Sequence, residues 1–74
     1  MAATLGKIIR EIRQSQGLSQ EELADHAQIH RTYVSQLERG LKSPTIAVLL
    51  QISRALGTRS SKILRRLEDR TDEV

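Results

Sequence analysis

With 74 residues, no cysteine and a formal charge of +3, the chain has room for one small domain and offers no disulfide or thiolate metal site. No apolar run approaches the roughly 18 residues that span a membrane, and the amino terminus shows no signal-peptide pattern. The reading is a single cytoplasmic domain over residues 1–74.

The charge is unevenly spread. From Arg31 to Arg66 there are eight basic residues (Arg31, Arg39, Lys42, Arg54, Arg59, Lys62, Arg65 and Arg66) and one acid, Glu38. The acids Glu68, Asp69, Asp72 and Glu73 then hide that excess in the whole-chain total. Clustered Lys and Arg suit a polyanionic partner; a merely solvated basic surface has the same composition.

Helical periodicity runs throughout, and no stretch alternates as a half-buried strand would. Leu5, Ile8, Ile9 and Ile12 recur at i, i+3, i+4 and i+7 and make one apolar face of a first helix that Gly17 ends. Ser19-Gln20-Glu21-Glu22 reads as a capping box, with Leu18 and Leu23 placed as a hydrophobic staple, so a second helix starts at Gln20. Leu23, Ala24 and Ala27 form its buried side. A third helix covers Arg31 to Arg39 and stops at Gly40; a fourth follows Pro44, capped by Thr45, and ends at Gly57. The fourth carries Ile46, Leu49, Leu50, Ile52 and Leu56 as its apolar set. A fifth spans about Ser60 to Asp69 with the stripe Ile63, Leu64 and Leu67, leaving a core of about 5–67 and a frayed tail at 70–74. The fold class is therefore all-α, a compact five-helix bundle. Only a few residues separate the second and third helices, which forces them to cross steeply as a helix-turn-helix.

The third helix has two faces. Val34, Leu37 and Glu38 share one side, so Glu38 points toward the core, where an unpaired carboxylate is costly. Arg13, four residues after Ile9, is its natural partner; the alternative leaves both solvated at the boundary. The opposite side presents Arg31, Thr32, Ser35, Gln36 and Arg39, hydrogen-bonding side chains with no acid among them. Such a face suits the DNA major groove, where Arg reads guanine, Gln reads adenine and a Thr methyl meets thymine. The first turn of the helix lies closest to the bases. Tyr33, the chain's one aromatic residue, either packs on the sugar-phosphate edge or covers the core.

The stretches GLSQEELA at 17–24, IHRTYVSQLERG at 29–40 and SPTIAVLLQISRALG at 43–57 strongly resemble the Cro/repressor-type (XRE-like) helix-turn-helix family. The likeness runs from about residue 5 to 67, and the middle stretch is especially similar to controller proteins of restriction-modification systems. It implies a lambda-repressor-like domain, the third helix in the major groove, and a symmetric homodimer on a palindromic operator. Position by position, it implies base reading by Arg31, Thr32 and Gln36 and a DNA phosphate held by Gln20. Arg39, Lys42 and Ser43 match backbone-contacting positions, to which the reading adds Ser35 and Tyr33. Arg13 and Glu38 match the family's internal ion pair. Where the family usually has glycine in the turn, this chain has Gln28, and the third helix is capped by His30 rather than Ser or Thr.

An enzyme is disfavoured, because the chain has no Gly-rich phosphate loop, no cysteine and no convincing pair of carboxylates. His26 and His30 have a metal-ligand spacing, but the turn breaks the helix between them, so neither metal nor cofactor is expected. An antitoxin subunit that also binds a toxin is the alternative, without a segment dedicated to it. The expected partners are double-stranded DNA and a second copy, with no membrane and no small-molecule ligand. For the dimer, Ile63 and Leu67 are placed nearer the partner than Leu64; in the alternative all three close the monomer core.

Overall fold

The second helix begins where its cap dictates. Ser19 Oγ accepts the Glu22 N–H at 3.0 Å, and the Glu22 carboxylate accepts the Ser19 N–H at 2.9 Å, which satisfies two of the donors a helix start otherwise leaves open. In the computed structural model, which describes residues 1–71, the helices are α1 (Ala2–Ser15), α2 (Gln20–Ala27), α3 (Arg31–Glu38), α4 (Ile46–Ala55) and α5 (Ser60–Thr71). Among the described residues there is no strand. Thr45 caps α4 through a hydrogen bond from the Val48 N–H at 3.2 Å.

The turn between α2 and α3 depends on Gln28, which takes the left-handed conformation at φ 58° and ψ 41°. Its N–H and that of Ile29 bond back to Asp25 and Ala24 at 3.2 and 3.0 Å. The chain therefore turns at once and enters α3 at His30, whose Nδ1 accepts the Thr32 N–H at 3.4 Å.

The helices form a closed ring: α1 packs on α3 and α5, α2 on α3 and α4, and α4 on α5. Ile8, Ile9, Leu23, Val34, Leu37, Ile52 and Ile63 fill the centre. The α1–α3 contact is close enough to exclude a side chain at Gly6. A Cβ there would fall within contact of the Leu37 carbonyl oxygen and 2.8 Å from that of Glu38.

Three features differ from the sequence reading. Ile46 and Leu50 belong to α4's apolar set by composition, yet they are exposed. The buried arc is Leu49, Ile52, Ser53 and Leu56, and Ile46, Leu50 and Arg54, four apart, run along the helix edge outside it. On α5 the expected order is inverted: Ile63 and Leu67 are buried, while Leu64 is 39% exposed. The α1–α5 contact takes the 63/67 edge of the stripe into the monomer core. Finally, α5 continues through Arg70 and Thr71, because Arg70 reaches Glu11 on α1 at 2.6 Å. The rest of the tail expected to fray, residues 72–74, lies outside the described residues.

Candidate nucleic-acid interface

Packing of α3 on α1 and α2 fixes which of its faces is free. Val34, Leu37 and Glu38 are buried, whereas Arg31, Thr32 and Arg39 are exposed and Ser35 and Gln36 half-buried. The outward face thus carries one Arg and one Thr in its first turn and Gln36 one turn further on. Tyr33 is half-buried at the edge, packed against the core.

Gln20 opens α2 and joins this face: it lines a recess with Arg31, Thr32 and Ser35. The starts of two consecutive helices thus meet at one surface. Arg39 caps α3 and turns its Nε toward the Ser35 carbonyl at 3.4 Å, and Lys42 and Ser43 are exposed in the loop before α4. These last three lie beyond the recess, on the chain that leaves α3.

Beneath the surface lies a polar knot. Arg13 donates from Nε to Glu38 Oε2 at 2.7 Å and from Nη2 to Oε1 at 2.9 Å. Its Nη1 donates to the Leu18 carbonyl at 2.7 Å, closing the α1–α2 turn as well. The hydrogen bonds that Arg13 donates to Glu38 raise the Arg13 pKa against the opposing effect of burial. Glu38 Oε1 accepts a third bond, from Gln20 Nε2 at 3.0 Å. The one acid between Arg31 and Arg66 is therefore neutralised internally, and the exposed charge of that segment is uniformly positive.

Nothing in the sequence pointed to the Gln20–Glu38 bond, since the two residues sit on different helices 18 positions apart. Nor did it show that Arg66 is committed to Glu11, at 3.0 Å, on the side of the molecule where α5 meets α1. His26 is exposed, His30 serves as the α3 cap, and among the described residues no three potential ligands cluster as a metal site. No described helix is long and apolar enough to cross a membrane.

A family profile described as helix-turn-helix matches residues 9–63. The chain belongs to that family, in its XRE-type branch. This helix-turn-helix protein is 40% identical over 60 residues to the control protein C.BamHI of Bacillus amyloliquefaciens, a match covering 80% of this chain and 74% of the relative. Among solved structures it resembles the restriction-modification controller protein C.AhdI of Aeromonas hydrophila, with TM-score 0.82 and 32% identity over 84% of this chain and 94% of that one. A second is the controller C.Esp1396I, as a tetramer in complex with its natural 35 base-pair operator. There the TM-score is 0.83 at 29% identity, covering 92% of this chain and 90% of that one. The family is one of DNA-binding transcriptional regulators and not of enzymes.

Proposed function

We propose that this helix-turn-helix regulator binds double-stranded DNA sequence-selectively, as a homodimer on a palindromic operator, with α3 in the major groove. The observation that carries the reading is the outward face of α3. Arg31, Thr32 and Gln36 project from it with no acid among them, and Gln20 stands beside its first turn. In this reading Arg31, Thr32 and Gln36 read base edges. Gln20, Ser35, Arg39, Lys42 and Ser43, with Tyr33 at the edge of the helix, hold the phosphate backbone.

The dimer face follows from what α4 and α5 leave uncovered. Leu50 lines a shallow groove with Ser60 and Ser61, and Leu64 stands one turn further along α5. Ile46, one turn before Leu50, is 71% exposed. These residues take the place of Ile63 and Leu67 as the proposed contact with a second copy. The C.Esp1396I neighbour assembles as a tetramer on its operator, which supports self-association on DNA for a chain of this shape.

Salt and sequence dependence separate the two kinds of DNA contact. Arg31→Ala is expected to relax base preference, whereas Arg39→Ala and Lys42→Ala are expected to weaken binding to every sequence. Each lost phosphate contact should also flatten the log–log salt slope by about 0.9. Unchanged slopes for both loop variants would remove those side chains from the DNA.

A further inference from the structure

We propose that Glu38, although buried, is a positioning residue for DNA binding: its carboxylate fixes the orientation of the Gln20 amide and so makes Gln20 a donor toward phosphate. The inference rests on the DNA-binding reading above.

The Glu38 side chain is 2% exposed and cannot itself reach a nucleic acid. Its partner Arg13 satisfies Oε2 and takes one position on Oε1, and Gln20 Nε2 takes the other at 3.0 Å. An ionised carboxylate only accepts hydrogen bonds, whereas a glutamine amide can donate from nitrogen or accept at oxygen. Facing a carboxylate, the amide has one permitted orientation: nitrogen inward, because the flipped form sets two acceptors against each other. The NH2 group carries two hydrogens. One is held by Glu38, and the second is directed away from it.

The surroundings of Gln20 give that second hydrogen a role. Gln20 is the first residue of α2, directly after the cap, where the N–H groups of the helix start already favour an anion. It lines the recess with Arg31, Thr32 and Ser35, on the outward face of α3. Phosphate oxygens accept and do not donate. A freely rotating amide would offer them its carbonyl part of the time, whereas the Glu38 contact holds the donor end in place. The same carboxylate that joins α1 to α3 thereby sets the alignment of a side chain at the α2 surface.

Two measurements test this. In the isotope-labelled wild-type chain without DNA, one Gln20 side-chain amide proton should lie downfield and exchange slowly, and an amide pair at free-glutamine shifts would overturn the proposal. Binding to a labelled mixed-sequence duplex should then be compared for wild type, Glu38→Gln, Gln20→Ala and the double variant, at a temperature where each is folded by circular dichroism. One lost hydrogen bond predicts about three- to tenfold weaker binding for either single change. The double variant should be no weaker than Gln20→Ala alone. Additive losses, or unchanged binding by Glu38→Gln, would limit Glu38 to a structural role. A wild-type protein that binds no duplex would instead overturn the DNA reading itself, an outcome distinct from the other two.

Discussion

The Arg13 guanidinium grips the Glu38 carboxylate with two nitrogens, at 2.7 and 2.9 Å, and this bidentate pair is the polar link between α1 and α3. Removing one partner leaves a buried charge alone. Arg13→Ala or Glu38→Ala should therefore destabilise the fold by roughly 3–5 kcal/mol in urea unfolding. Replacing both with apolar residues of similar volume should recover much of the loss. Additive losses in that cycle would mean that the two residues act independently.

Gln28 is the described residue other than glycine that has positive φ. A left-handed conformation costs an L side chain about 1–2 kcal/mol, while glycine gives back part of that gain through its greater freedom when unfolded. Gln28→Gly should raise stability by roughly 0.5–1 kcal/mol, read from the denaturation midpoint at unchanged m-value. A loss of stability would show that the Gln28 side chain contributes more than its backbone costs.

Acid should weaken the fold through its surface carboxylates. The Ser19 N–H lowers the Glu22 pKa below its ordinary 4.5, and the Arg70 hydrogen bond does the same to Glu11. Both carboxyls hold protons less readily folded than unfolded, so their stabilisation is complete above the ordinary value and declines as pH falls through the lowered ones. Glu22→Gln, which keeps an acceptor for the capping box but not the charge, should lose that increment at neutral pH, match the wild type in acid and so flatten the acid limb. An acid limb as steep as the wild type's would mean that Glu22 does not contribute to it.

Leu64 and Ile63 are neighbours in sequence but should behave in opposite ways. Leu64→Glu places a charge on the exposed edge of α5 and is expected to give a folded monomer in sedimentation, as is Leu50→Glu on α4. Ile63→Glu places the same charge in the core, where Ile63 is fully buried, and should unfold the chain. Folded variants of Leu50 and Leu64 that remain fully dimeric would move the interface elsewhere.

The elements whose ends are set by local chemistry were legible in the sequence. Ser19 and Glu22 fixed the start of α2, Gly40 the end of α3 and Thr45 the start of α4. The two faces of α3 were equally plain, because a carboxylate beside Val34 and Leu37 requires a partner. On α4 and α5 spacing alone could not choose an edge. Leu64 fits the stripe with Ile63 and Leu67 as well as either fits with the other, and only the contact with α1 decides which side turns inward. Long-range features left no local trace. The close α1–α3 approach at Gly6 and the Gln20–Glu38 bond both depend on helices that meet only after the chain has folded.

Selection of binding sites from randomised duplex DNA, followed by footprinting of the recovered sequence, tests the central claim most directly. A homodimer that inserts α3 into successive major grooves should select two half-sites related by two-fold symmetry. Their centres should lie about one helical turn apart, roughly 34 Å or 10–10.5 base pairs. Arg31→Ala, taken through the same selection, should lose preference at one base pair per half-site, at a cost of about 1–3 kcal/mol. Recovery of no preferred sequence, or of a single half-site without its symmetric partner, would contradict the account.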